Sequence, residues 1–167
     1  MFKMITILTL IIGVIMANDT VLKVGDKAPN FTLLDQSGND HTLSDYFGQK
    51  IVVYFYPKDD TPGCTKEACS IRDNIALFEE NGIKVFGLSF DSPNSHKKFA
   101  EKYNLPFTLL SDSDKSVAKL YNSRGFLMAK RNTFLIDTDG KIFKIYKNVD
   151  VTTHTQKILN DFLVSDN

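Results

Sequence analysis

Residues 51 to 70 read IVVYFYPKDDTPGCTKEACS, and the order of features along them carries the first inferences. Ile51 to Tyr56 is a nearly unbroken run of β-branched and aromatic residues, the composition of a strand buried on both faces at the centre of a sheet. Pro57 ends that strand, because proline has no N–H to give to a ladder. A helix is expected next, from about Cys64 to Asn81, with Ala68, Ile71, Ile75 and Phe78 on one apolar face and Gly82 as its C-cap. Cys64 therefore stands at a helix start just beyond the C-terminal end of a central strand, where open α/β sheets place their sites. The unpaired N–H groups and the positive end of the helix dipole favour a thiolate there.

Cys69 follows five residues on. In an intact helix such a pair is separated by about 7.5 Å along the axis and about 140° around it. A disulfide needs Cα atoms within roughly 7 Å and converging Cβ vectors, so bridging this pair requires the first turn or two of the helix to unwind. A C-x-x-C pair would close across one turn, and its absence argues against an ordinary dithiol exchanger. The pattern also argues against structural zinc, since His41, His96 and His154 are scattered singly and lack the short spacing of ligand pairs.

Outward from this stretch the chain alternates strands and helices, which predicts a layered α/β domain. IKVFGLSFD (83–91) reads as a second central strand, and SPNSHKKFAEKYN (92–104) as a helix with Ser92 as N-cap and Pro93 at its first position. Lys97, Lys98 and Lys102 on that helix read as a solvated face. FTLLSD (107–112) reads as an edge-prone strand, and DKSVAKLYN (114–122) as a short helix packed through Val117, Ala118 and Leu120. In RNTFLIDTDGKIFKIYKN (131–148), Thr133 to Ile136 and Lys141 to Tyr146 flank Asp139-Gly140, a hairpin signal. A last helix, about Thr153 to Leu163, turns Ile158, Leu159 and Phe162 inward. Upstream, NFTLLDQSGNDHTLSDYFG (30–48) reads as two short strands around Ser37-Gly38-Asn39, then a helical turn ending at Gly48. The expected architecture is a central mixed sheet of roughly five strands plus an N-terminal β-hairpin, flanked by helices.

The length of 167 residues suits one domain, and the 43% apolar and 24% charged fractions are those of a globular chain. Formal charge is zero, with no basic stripe or arm, which speaks against nucleic acid as a partner. Two cysteines are too few for a disulfide scaffold. The N-terminus, MFKMITILTLIIGVIMANDT, joins a single early Lys3 to an apolar run from Met4 to Met16, with Ala17 at the cleavage position of a secretory signal. Residues 1–17 are thus expected to be a leader directing the protein to the periplasm or outside the cell, with 22–164 as the domain. The alternatives are an uncleaved membrane anchor and an upstream extension of a cytoplasmic protein that starts at Met16.

Over about residues 22 to 164 the chain resembles the peroxiredoxins, more narrowly their bacterioferritin comigratory protein or Q-type branch. The most specific element is P-x-x-x-T-x-x-C, present as Pro57, Thr61 and Cys64, continued by Thr65, Glu67 and Cys69; VGDKAPNFTLLD (24–35), FTLLSD (107–112) and RNTFLIDTDGKI (131–142) follow the family in the same order. The resemblance implies a thioredoxin-like fold and a thiol-dependent peroxidase for hydrogen peroxide and organic hydroperoxides. Cys64 would be the peroxidatic thiolate that becomes a sulfenic acid, and Cys69 the resolving thiol that closes a Cys64–Cys69 disulfide. Thr61 would accept a hydrogen bond from the peroxide while donating toward the thiolate. Arg131 would stabilise the thiolate and the charge that develops as it reacts, and Pro57 with Pro62 would stiffen and shield the loop. Thioredoxin or a similar dithiol protein would regenerate the enzyme without a cofactor, and the chain would be a monomer, with a weak dimer as the alternative. Glu67 fits two roles equally, holding Arg131 or compensating the helix dipole. Lys58, Asp59 and Asp60 read as loop solvation, and alternation allows only one of Tyr54 and Phe55 to line the site's side of the sheet. The rival readings are a thiol-disulfide oxidoreductase and a non-catalytic binding module of thioredoxin-like fold.

Overall fold

The computed structural model describes residues 21 to 164, so the leader at 1–17 and the alternative start at Met16 lie outside the described residues. β1 (Thr32–Asp35) and β2 (Asp40–Thr42) form the N-terminal hairpin, followed by a 3-10 turn at Leu43–Tyr46. Then come β3 (Lys50–Phe55), α1 (Pro62–Asp73), α2 (Ile75–Glu80), β4 (Ile83–Ser89), α3 (Pro93–Tyr103), β5 (Thr108–Ser111), α4 (Ser116–Leu120), β6 (Asn132–Ile136), β7 (Ile142–Lys147) and α5 (His154–Val164). The strands make one seven-stranded mixed sheet in the order β2-β1-β5-β4-β3-β6-β7. Pairings β3/β4 and β4/β5 are parallel and the others antiparallel.

The expected central strand is β3, and its alternation divides the core in two. Val52, Tyr54 and Tyr56 face a cluster with Cys64, Ala68 and Ile71 of α1, Phe78 of α2, Phe99 of α3 and Ile158, Leu159 and Phe162 of α5. Ile51, Val53 and Phe55 face Phe86, Phe134, Val117, Tyr121 and Ile142 on the other side. Tyr54 is therefore the residue of its pair on the cysteine side. No helix among the described residues is long and apolar enough to cross a membrane.

Three local expectations are corrected. The helix that carries the cysteines begins earlier, with Thr61 as N-cap and Pro62 in its first turn, and it breaks at Asn74 between α1 and α2. Asn74 leaves helical geometry at φ −114° and ψ 11°, and its side-chain amide donates to the Ser70 carbonyl at 2.8 Å, the local competition that makes asparagine a helix interrupter. β5 is an interior strand, buried along its whole length, because the N-terminal hairpin docks on it through Leu34↔Ser111 and Asp35↔Leu110. Leu120 lies half exposed at the end of α4; Tyr121 fills the core in its place and donates to the Pro29 carbonyl at 2.8 Å. The 131–148 hairpin forms as expected, turning through Gly140 at φ +76°.

Gly87 lies opposite Tyr54 in the β3/β4 ladder, and a Cβ there would stand 2.6 Å from the Tyr54 hydroxyl and 2.9 Å from Leu109 Cδ2. Both neighbours are fully buried and cannot swing aside. Gly87→Ala should therefore lower unfolding stability by about 1–3 kcal/mol, the cost of overpacking a filled core. Urea denaturation of the variant beside the wild type measures this, and an unchanged midpoint would refute it.

Candidate active site

The chain leaves the sheet at the C-terminal end of β3, where Tyr56 N still donates to the Leu88 carbonyl at 3.0 Å, and turns through Pro57 to Thr61 into α1. Cys64 falls in the first turn of α1, where backbone N–H groups lack helical partners. Its side chain points into the core and is only 2% exposed. β6 runs antiparallel to β3, with Asn132 opposite Phe55, so the residue before β6 arrives at the same end of the sheet as Cys64. That residue is Arg131, and its Nη2 donates to Cys64 Sγ at 3.2 Å.

The same guanidinium binds Glu67 through Nη1. Of the two roles open to Glu67, the structure places it against Arg131, one turn along α1 and 1% exposed. Its second carboxylate oxygen, Oε1, has no hydrogen-bond partner. Burial pushes the Glu67 carboxyl up to about 7, against the pull of Arg131 in the other direction. Burial likewise works to lower the Arg131 pKa, but the charge of Glu67 and the contact with Cys64 outweigh it and raise the guanidinium further. One cation thus serves two acidic groups in a site nearly closed to water, where their interactions are strengthened. His154, whose Nε2 lies 2.8 Å from the Thr133 hydroxyl, is held neutral: burial first, then the charges of Lys157 and Arg131, lower its pKa to about 4.

Thr61 is the N-cap of α1, and its hydroxyl donates to the Lys58 carbonyl at 3.0 Å, within its own loop, and not toward Cys64. Pro57 is half-buried and borders a cavity of about 380 Å³ with Lys58, Phe90, Asp91, Leu127 and Met128. Cys69 is half-buried further along the unbroken α1, and both cysteines are free thiols. The next residue, Ser70, donates to the Thr155 hydroxyl of α5 at 2.8 Å. Pro57, Thr61, Cys64, Glu67 and Arg131 therefore converge at one end of the sheet, with Cys69 held apart by the helix.

The loop holds a correction. Asp59 is not solvated but 8% exposed, accepting from the Tyr56 hydroxyl at 2.7 Å, the Ser95 hydroxyl at 2.7 Å and His96 Nδ1 at 2.9 Å. Asp60 is exposed yet bound by Lys102 at 2.7 Å and the Tyr103 hydroxyl at 2.5 Å, so Lys102 is more than a solvated lysine. The one available signal was the position of His96 three residues before Phe99, on the apolar face of its helix. Among the described residues, no three His, Cys, Asp or Glu side chains are grouped to hold a metal ion.

Residues 24–145 match the AhpC/TSA family model. The chain is 44% identical over 147 residues to peroxiredoxin Bcp of Escherichia coli strain K12, covering 83% of this chain and 94% of that one. A PrxQ variant of Xylella fastidiosa superposes with a TM-score of 0.85 at 32% identity, covering 89% of this chain and 99% of that one. A bacterioferritin comigratory protein of Xanthomonas campestris, solved as trapped intermediate and ligand complexes in work on its alkyl peroxide reduction activity, superposes with a TM-score of 0.79 at 30% identity over 82% of this chain and 92% of that one. The fold is the thioredoxin-like fold of peroxiredoxins, and the chain belongs to the AhpC/TSA family. Within that family its relatives include Bcp and peroxiredoxin Q proteins, and membership implies thiol peroxidase activity.

The raised Glu67 pKa makes a pH prediction. An acid whose folded-state pKa lies above its unfolded value contributes most stability below the unfolded pKa and loses it as pH rises through the folded one. For Glu67 that window runs from about 4.5 to about 7. Wild-type stability relative to Glu67→Gln, which mimics the protonated acid, should fall across it by on the order of 3 kcal/mol. Urea unfolding of both proteins at pH 4.5 and pH 8 reads the difference, and a gap independent of pH would contradict the assignment.

Proposed function

We propose that the protein is a two-cysteine peroxidase in which Cys64 is the peroxidatic residue and Cys69 the resolving one. The observation that carries the reading is the buried Cys64 sulfur, in the first turn of α1 with Arg131 Nη2 at 3.2 Å. The helix start and the guanidinium both favour the thiolate, and the closed surroundings strip it of water. The thiolate attacks one peroxide oxygen, the O–O bond breaks, and with one proton the products are a Cys64 sulfenic acid and water or an alcohol. Arg131 stabilises the negative charge passing from sulfur to the leaving oxygen. Thr61, its own proton directed to the Lys58 carbonyl, leaves its oxygen free to accept from the peroxide O–H. Pro57 and Pro62 keep the entrance stiff.

Resolution follows from charge and geometry together. A sulfenic acid is neutral, so oxidation weakens the hold of Arg131 on the first turn of α1. The start of the helix unwinds, the Cys69 thiol attacks the sulfenic sulfur, water leaves, and a Cys64–Cys69 disulfide remains. Thioredoxin or a similar dithiol protein then reduces it by exchange, with no cofactor, since sulfur carries the electrons. Both cysteines lie in one chain, which supports a monomer as the working unit. Export, which the apolar leader suggests, would replace cytosolic thioredoxin by a dedicated dithiol protein. A thiol-disulfide oxidoreductase is disfavoured by burial: a small peroxide can reach a thiol 2% exposed, whereas a protein disulfide cannot.

Stopped-flow consumption of hydrogen peroxide by the reduced protein tests the reading. The wild type should turn over rapidly with a dithiol reductant, Cys64→Ser should be inactive, and Cys69→Ser should complete one fast turnover and stop. Equal, slow consumption by all three proteins would reject the two-cysteine peroxidase. In the same assay Arg131→Met should slow the first step about a hundredfold, the cost typical of losing a preorganised donor to developing charge; a loss of less than about threefold would remove Arg131 from the mechanism.

A further inference from the structure

The loop from Pro57 to Thr61 sets where α1 begins, and its fold depends on one carboxylate. Asp59 lies five residues before Cys64 and takes hydrogen bonds from three side chains: Tyr56 of the strand end, and Ser95 and His96 of α3. Its backbone N–H donates to Asp91 Oδ2 at 2.9 Å, beyond the end of β4. Asp60 follows in the left-handed region at φ +55°, which aspartate adopts more readily than most non-glycine residues. Burial alone would raise the Asp59 pKa, but the hydrogen bond and charge of His96, with Tyr56 and Ser95, outweigh it and hold the carboxyl below its ordinary value.

His96 is fully buried, and both of its ring nitrogens face oxygens. Nδ1 meets the Asp59 carboxylate, and Nε2 lies 3.2 Å from the Leu110 carbonyl of β5. Both oxygens are acceptors, so Nδ1 is placed to donate to Asp59 and Nε2 to the Leu110 carbonyl. A side chain needed only to pack α3 on the sheet could be apolar, as Phe99 is one turn on. A buried polar contact of this kind is a costly way to gain stability, and its better-attested use is to fix one conformation.

We propose that His96 is a positioning residue for the peroxidase site: it locks Asp59, and through Asp59 the loop that fixes Thr61 and the Cys64 turn against Arg131. The proposal rests on the peroxidase reading above. Its chain of contacts runs from α3 through a carboxylate to the start of α1, and it needs the Nδ1 donor; the Nε2 bond to Leu110 only seats the ring.

Two amides separate those nitrogens. In His96→Asn the amide nitrogen is as many bonds from the backbone as Nδ1 and can donate to Asp59; in His96→Gln it is as many bonds away as Nε2 and can donate to Leu110. Measured by stopped flow, the second-order rate constant for hydrogen peroxide should stay within about threefold of wild type in His96→Asn and fall about tenfold or more in His96→Gln, as expected for a displaced reacting group. A purely structural role predicts the opposite ranking, since glutamine fills more of the space and keeps the bond to β5. Urea midpoints taken on the same samples separate stability from rate. Equal losses in the two variants, or the larger loss in His96→Asn, would overturn the proposal. Should neither variant fold, Ser95→Ala removes a donor to the same carboxylate from a half-buried position, and an unchanged rate there would overturn it. If the wild type consumes no peroxide, the parent reading fails, and the rate of Cys64 alkylation by iodoacetamide in a Cys69→Ser background decides this proposal by the same ranking.

Discussion

The organising interaction is the Arg131 guanidinium, held where it can meet both Cys64 and Glu67. Each of the three is unfavourable to bury alone. A carboxylate or guanidinium withdrawn from water without a partner costs several kcal/mol, and the carboxyl answers by moving its pKa upward. Together they can be buried, but one positive charge cannot fully satisfy two negative ones in a closed site. The Cys64 sulfur and the Glu67 carboxyl therefore share one guanidinium. The poise of the site belongs to the trio, not to the cysteine alone.

That trio exists because of sheet topology. Arg131 is far from Cys64 along the chain, and no local preference brings them together. They meet because β6 pairs antiparallel with β3, which sets the start of one strand beside the end of the other. The parallel neighbour, β4, contributes from the other side at the same end of the sheet: Asp91 follows it and binds the Asp59 backbone. The loop between β3 and α1 is thus gripped from both flanks of its own strand, with α3 over it through Ser95, His96, Lys102 and Tyr103.

What could be read from the chain divides along the same line between local and distant. The strand at 51–56, its stop at Pro57 and the 131–148 hairpin are written in neighbouring residues and form as expected, and the helix after Pro57 forms too, though it starts two residues before Cys64. The placement of Cys64 needed only a strand, a breaker and a helix in sequence. Arg131 was legible only through the family pattern, because its role depends on strand pairing. β5 was misread as edge-prone because nothing in its own residues says that the N-terminal hairpin docks beside it. Asp59 looked like one of two loop carboxylates, and only the crossing of α3 distinguishes it from the exposed Asp60 next to it. His96 carried a partial signal in its spacing from Phe99, but its partner lies 37 residues away.

In the two-cysteine mechanism proposed above, the helix that carries both cysteines must satisfy opposed demands. Holding Cys64 and Glu67 against Arg131 requires an ordered first turn, whereas a bond between residues five apart requires that turn to open. The tethers on α1 are unequal in a way that bears on this. Its later half is tied by redox-insensitive contacts: Ser70 to Thr155, the Arg72 guanidinium to the Tyr103 carbonyl at 2.7 Å, and the Asn74 amide back to Ser70. Its start is tied to Arg131 through Glu67 and through the Cys64 sulfur, and of these the proposed oxidation changes only the sulfur. The break at Asn74 interrupts the helix between α1 and α2, although both pack into the same core cluster. In the mechanism proposed above, oxidation at Cys64 would thus weaken the end of the helix that has to move while the end bearing Cys69 keeps its anchors, and the contact that favours the thiolate would also be the one whose loss releases it.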